Sequence, residues 1–378
     1  MAICLLFLFF AISPSLIVLA QETSHATHPF AGKRAILDGD IPYWTDKTYI
    51  DRTLQRVKDS GFNVYMPTVW QGRGTAWPSQ YAPWDSQLRS RSKQNFDPLK
   101  YLIDKAHQLG IEVHPWFTLT LRQADIFPEF AAPGTPEKAF DVHNKNFRHL
   151  IASLVSEVVD NYDVDGVNLD YVRAMGLCTN ADCKREYREI YGRDLELDTA
   201  LFKLSFGKVP SLVEYQENAV TSMIATVSDK VRKRKPNIMI SVDTLVGQIS
   251  AEQGQNSVEW ANKGLIDVVF RMDYMRQLNT NLFEDIRRRL NNPGSLSLLI
   301  SNMSTFEEMQ PGQKHFPRDG RWLAKTVSLV QSRWPEIGIA IYFYKYLTDE
   351  QIDALKGGPF RTQEDHRAPL TPSNIRVQ

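Results

Sequence analysis

Three aspartates end three β-rich runs of the chain. They are Asp170 in DGVNLDYVR from Asp165, Asp243 in NIMISVDTL from Asn237, and Asp273 in IDVVFRMDY from Ile266. A carboxyl group can serve as acid, base or nucleophile, and its pKa decides which. Two carboxyls roughly 5 to 10 Å apart can divide the cleavage of a glycosidic bond. One protonates the leaving oxygen, and the other attacks or activates water. Arg173 and Arg271 lie close by in sequence. They can hold one carboxylate ionised while its neighbours raise the pKa of the other.

The elements that would carry these groups alternate strictly. Strand-like runs cover 34–40, 62–70, 111–119, 165–173, 237–245, 266–274, 295–303 and 337–346. Helical patterns follow each one, at about 46–61, 97–110, 146–161, 211–235, 257–264, 281–290, 319–334 and 348–358. Asp97-Pro98 and Gly110 bracket the second helix as cap, first-turn proline and stop. Eight such units predict an α/β fold, a single-domain (βα)8 TIM barrel over 31–360. No early glycine-rich phosphate loop is present to support an open doubly wound sheet. The long connections, 71–95, 118–145 and 174–210, all follow strands. They would build the working face at the strands' C-terminal ends.

Side chains alternate along a strand, so parity separates a helix-facing set from an axis-facing set. Taking the apolar set as helix-facing predicts inward Asn168 and Asp170, Ser241 and Asp243, and Arg271 and Asp273. The same rule sends Glu112, His114 and Trp116 inward, with Tyr342 and Tyr344, and with Asp38 and Asp40. Burying an unpaired carboxylate costs several kcal/mol, so such groups sit in a solvated cleft, pair with charges or do chemistry.

The first twenty residues are almost wholly apolar, carry no charge and end in Val18-Leu19-Ala20, which predicts a signal peptide and a secreted or periplasmic protein. No later stretch is long enough to span a membrane. Lys plus Arg and Asp plus Glu both number 44, which gives no support for nucleic acid or an anionic surface as partner. Cys178 and Cys183 remain after the leader, and in an oxidising compartment they can form a loop disulfide. The polar, proline-containing segment 361–378 reads as a tail or linker.

At the fourth strand the chain resembles the family-10-like glycosyl hydrolases, a group of bacterial barrel proteins. The resemblance rests on VDGVNLDYVR followed by Cys178, Cys183, Tyr187 and Gly192-Arg193-Asp194. ISVDTLVG from Ile240 is similar to the group's fifth strand, and IDVVFRMDY to its sixth. Arg271 stands where the group usually has proline, Asp273 where an acid is uncommon, and ILDGDIPYW departs from the usual opening. The match covers roughly Ala31 to Gly357. It implies hydrolysis of glycosidic bonds in a polysaccharide or oligosaccharide, with Asp170 catalytic first and Asp243 next. Distantly similar barrels place a nucleophilic Asp after strand four and an acid/base Asp after strand six. Asp170 is therefore expected as the principal carboxylate, with Asp243 or Asp273 as acid/base.

Asp38, Trp70, His114, Trp116, Asn168, Tyr171, Arg173, Arg271, Tyr274 and Tyr344 are the candidate substrate-binding residues. Trp70, Trp77, Tyr81 and Trp84 cluster beyond strand two, and aromatic rings offer sugar C–H faces a flat platform. No histidine cluster recurs at the strand ends, so no metal or other cofactor is expected. The alternatives are a non-catalytic carbohydrate-binding barrel and, less favoured, a metal-dependent polysaccharide deacetylase.

Overall fold

The computed structural model describes residues 30–39, 44, 46–91, 96–131, 138–205, 208–246 and 253–361. The expected leader, Asp40 and positions 362–378 of the expected tail lie outside the described residues.

The strands are β1 (Arg34–Asp38), β2 (Val64–Trp70), β3 (Glu112–Val113), β4 (Trp116–Thr118), β5 (Gly166–Asp170), β6 (Met239–Thr244), β7 (Val268–Asp273), β8 (Leu296–Ser301) and β9 (Ile339–Tyr342). All pairings are parallel, and β1 pairs with both β2 and β9, which closes the sheet. β3 and β4 are two halves of one stave, interrupted at His114-Pro115. Proline has no N–H for the ladder, so the break falls where the sequence puts it. Eight staves therefore form the expected (βα)8 barrel.

The helices are α1 (Lys47–Asp59), α2 (Ser86–Arg91), α3 (Pro98–Gln108), α4 (Lys145–Asn161), α5 (Ala181–Tyr191), α6 (Leu195–Leu204), α7 (Pro210–Arg234), α8 (Ser257–Asn262), α9 (Thr280–Arg289), α10 (Gly320–Arg333) and α11 (Asp349–Lys356). Several starts follow from their caps. The side chains of Asp46, Asp97, Asn144 and Asp319 accept first-turn N–H groups, and Thr348 with Gln351 forms a capping box. α2, α5 and α6 belong to the long connections after strands rather than to the outer ring.

Register decides which way each side chain points, because paired positions of neighbouring strands share a face. Leu169 pairs with Val242, Asp243 with Phe270, and Arg271 with Leu298. The interior set contains Ala35, Leu37, Val64, Met66, Trp116, Met239, Val268, Phe270, Met272, Leu299 and Ala340. The opposite set, including Ile36, Val167, Leu169, Ile240, Val242, Val269, Leu298 and Ile341, packs against the helices.

This register corrects two expectations. In β7 it is Val268, Phe270 and Met272 that fill the barrel, so Arg271 and Asp273 face the helical layer. In β1, Asp38 shares the outward parity of Ile36 and accepts a hydrogen bond from the Tyr65 hydroxyl. Both faces of a parallel barrel strand are buried, so polarity alone does not mark the inner one.

The N-terminal end of the barrel is stoppered. Phe30 is fully buried, with its ring centroid 4.9 Å from Phe270 and 6.3 Å from His114, edge-on to both. Gly166 leaves room for the His114 ring, since a Cβ there would meet Nδ1 at 2.8 Å. Phe30→Ala should lower stability by about 3–5 kcal/mol in chemical denaturation, because the cavity it leaves is closed on all sides. A loss under 1 kcal/mol would show that the stopper is not part of the packed interior.

Candidate active site

The C-terminal mouth is built on β4, β5, β6, β7 and β9. Asp170 ends β5, and the Leu169–Val242 pairing sets it beside Asp243 on the next stave. Neighbouring strands are about 4.8 Å apart, so these two inward carboxyls are nearest neighbours on one face. Asn168, one pleat deeper on β5, donates from Nδ2 to Asp243 Oδ1 and to Ser241 Oγ, each at 3.0 Å. Asp243 Oδ2 is buried and has no hydrogen-bond partner.

Asp170 is 8% exposed and Asp243 1%. Burial pushes the Asp170 carboxyl up to about 6, opposed by the N–H of Tyr171, the charge of Arg173 and the Trp116 side chain. The Tyr171 N–H donates to Asp170 Oδ1 at 2.6 Å. The indole N–H of Trp116 is near enough to favour the ionised carboxylate but does not close a hydrogen bond of normal geometry. Asp243 lies deeper. Burial first, and the charge of Asp170 second, hold its carboxyl well above the usual range, against the Asn168 hydrogen bond. Both neighbouring acids are raised by burial, and the deeper one also by its neighbour's charge, which is a pattern that can divide acid from base.

Tyr171 has a φ of 51°. A bulky residue in the left-handed region costs of order 1–3 kcal/mol and persists only where the surroundings enforce it. Here the strained peptide aims its N–H at Asp170, while the Thr120 hydroxyl donates to the carbonyls of Tyr171 and Arg173 at 2.7 and 3.0 Å. The Arg173 guanidinium lies 4.9 Å from the centre of the Tyr171 ring. The wall opposite is aromatic. Tyr342 stacks on Tyr274 at 5.4 Å and meets Trp116 edge-on at 6.2 Å. The charge of Asp170 is felt at both Tyr274 and Tyr342, and helps raise their pKa after burial.

The mouth therefore brings together Asp170, Asp243, Asn168, Trp116, Tyr171, Arg173 and Tyr274, all expected from the sequence. Six expected site residues, Arg271 among them, lie elsewhere. Asp273 is tied to Arg271 Nη1 at 2.5 Å and accepts the Asn279 N–H at 2.9 Å, beneath the helices. Asp38 faces the same outer layer. Trp70 is fully buried against Phe140, because a register irregularity between Thr68 and Trp70 turns it outward. His114 sits a layer below Trp116, packed on Gly166 and Phe30 and 3.4 Å from Glu112 Oε2. Tyr344 packs on the outer layer in a 3-10 turn, where Thr53 and the charge of Asp38 reach it. Of the aromatic cluster beyond strand two, Trp77 is also core, with its Nε1 donating to Glu157, whereas Trp84 is half-buried and Tyr81 exposed.

Tyr342 and Ser241 join the site without having been singled out for it. Strand parity already pointed both inward, and that was the signal available. Cys178 and Cys183 form the expected disulfide, with a Cα–Cα distance of 6.2 Å.

A family model described as glycosyl hydrolase-like 10 matches residues 36–132 and 130–288. The chain belongs to this family. It is 25% identical to glycosyl hydrolase DigH of Escherichia coli over 57% of this chain and 55% of that one. It is 21% identical to glycosyl hydrolase YngK of Bacillus subtilis over 50% of this chain and 38% of that one. The chain thus spans about half the length, or less, of the curated relatives it matches. The fold is shared with the PgaB (BpsB) glycoside hydrolase domain of Bordetella bronchiseptica, at a TM-score of 0.56 and 13% identity over 85% of this chain and 96% of that one. A β-galactosidase from Marinomonas ef1 superposes with a TM-score of 0.59 at 11% identity, over 85% of this chain and 58% of that one.

The two kinds of aspartate should respond oppositely to mutation. Asp170 protonates more easily folded than unfolded, which favours the fold below about pH 4 and is lost as pH rises through about 6. Asp170→Asn should therefore stabilise the protein by up to roughly 3 kcal/mol at pH 8 and by almost nothing at pH 3.5. Asp273→Asn should destabilise by about 3–5 kcal/mol at pH 8, since it strands a buried guanidinium. Thermal melts of the two variants at the two pH values check this. Destabilisation by Asp170→Asn at pH 8 would remove the argument for a strained carboxyl.

Proposed function

We propose that this family member is a secreted glycosidase. It would cleave a polysaccharide or oligosaccharide with Asp170 and Asp243 at the barrel mouth. The single observation that carries the reading is the register that sets these two carboxyls on neighbouring strands of one face.

Asp243 is the acid/base in this scheme, since burial and the Asp170 charge favour its protonated form. Asp170 is the nucleophile, ionised above about pH 6 and held by the Tyr171 N–H. Asn168 fixes one oxygen of Asp243 and leaves the other for the proton. Trp116, Tyr274 and Tyr342 supply ring faces for a sugar. Neighbouring strands lie about 4.8 Å apart, so carboxyls on adjacent staves favour the short separation of retaining enzymes over the longer one that admits a water between acid and base. Export is supported by the apolar first twenty residues and by the disulfide, a bond that persists in oxidising compartments.

A panel of polysaccharides and aryl glycosides tests the proposal. With an active substrate, Asp170→Asn should lower kcat at least 10³-fold while glycan binding persists. Asp243→Asn should lose natural substrates but keep aryl glycosides whose leaving group needs no proton. The first product should retain its anomeric configuration by NMR. Unchanged turnover in Asp170→Asn overturns the assignment. Binding without turnover across the panel in the wild type would indicate a carbohydrate-binding barrel instead.

A further inference from the structure

Beside the mouth, four residues of metal-ligating type converge. Asp141, His143, Cys178 and Cys183 each present a donor atom, all within 4.8 Å of one another and all buried. Asp141 and His143 come from the connection before α4, Cys178 from the segment between β5 and α5, and Cys183 from the first turn of α5. Cys178 Sγ lies 3.6 Å from Asp141 Oδ2, and His143 Nδ1 lies 3.3 Å from Asp141 Oδ1. His143 is only 7% exposed, yet its Nε2 is buried with no partner. A buried ring nitrogen without a hydrogen-bond partner is one that a cation can satisfy. A polar cavity of about 470 Å³ adjoins the cluster and gives an ion a way in, with Asp141, His143, Cys183, Lys145 and Arg185 on its wall.

We propose that this cluster is a second, redox-gated site, which binds a zinc-class divalent cation when the Cys178–Cys183 disulfide is reduced. A dithiol reductant supplies two electrons and two protons, the S–S bond breaks, and the reductant leaves as its own disulfide. Binding of the cation to the two thiols, the imidazole and the carboxylate then releases two protons. Two sulfurs, one nitrogen and one oxygen suit a tetrahedral d¹⁰ ion. Zn–S bonds of about 2.3 Å require sulfurs roughly 3.8 Å apart in that geometry. The bonded sulfurs must therefore separate on reduction, while all four donors already lie within 4.8 Å of one another. Two thiolates and a carboxylate would leave the filled site with one negative charge, and Lys145 and Arg185 at the cavity wall offset it.

The two states differ mechanically. The disulfide closes only a five-residue step within one connection. The cation would tie that connection, which carries Tyr171 and Arg173, to the one that carries Thr120 and Asp141. The site is independent of the glycosidase reading, because its ligands do not include either mouth aspartate.

The test uses the full chain reduced with a water-soluble phosphine, which becomes its oxide as the disulfide opens. Anaerobic titration with Co²⁺ should give one equivalent of binding, a near-ultraviolet thiolate-to-cobalt charge-transfer band and tetrahedral visible bands, all erased by Zn²⁺. The unreduced chain should show none of these. His143→Gln leaves both thiols in place and should weaken binding at least tenfold, while Cys178→Ser should abolish the charge-transfer band. Circular dichroism verifies the fold of each sample. If Cys178→Ser does not fold, His143→Gln together with zinc protection of the two thiols from alkylation decides the matter. Absence of the band in folded, reduced wild type overturns the site, as does undiminished affinity in His143→Gln.

Discussion

Leu169 pairs with Val242 across two parallel strands, and that pairing carries Asp170 and Asp243 onto the same inner face. A slip of one residue in either strand would turn its acid toward the helices and bring an aliphatic side chain to the axis. The hydrophobic layer outside the sheet enforces the register, because Val167, Leu169, Ile240 and Val242 must all reach it. Burying such side chains contributes roughly 1.5–3 kcal/mol each. The acids are thus held together by the aliphatic residues that alternate with them.

The remaining buried charges divide by what faces them. Arg271 and Asp273 neutralise one another under the helices, and Glu157 accepts from Trp77 and from the backbone N–H of Gln80. These groups are paired or capped, and they brace the outer layers. Asp243 has a half-satisfied carboxyl beside another acid. Asp170 is held by a peptide in a strained conformation. The cost of burying two neighbouring acids at the mouth therefore falls on the stability of the fold.

The barrel was legible in the sequence because eight periodic segments, their caps and the lengths of their connections all agree. Helix starts at Asp46, Asp97 and Asp319 follow from local side-chain chemistry that no distant contact overrides. Asp170, Asn168 and Asp243 were legible because their strands carry aliphatic residues at every other position. β7 was not, because Val268, Val269, Phe270 and Met272 place apolar groups on both faces. Only the pairing of Asp243 with Phe270, a contact between distant segments, reveals which face is inner. Trp70 was misplaced for a related reason, since an irregularity in strand pairing leaves no trace in a simple alternation. The cluster around His143 joins two connections that sequence periodicity cannot bring together.

Phe30 sits under the barrel like a cork, with His114 and Phe270 against its ring. The interior from Phe30 up through Phe270 and Met272 is filled with side chains, so a ligand that reached Asp170 and Asp243 would approach and depart on the side of Tyr274 and Tyr342. A long chain could lie across that end but could not thread through the molecule.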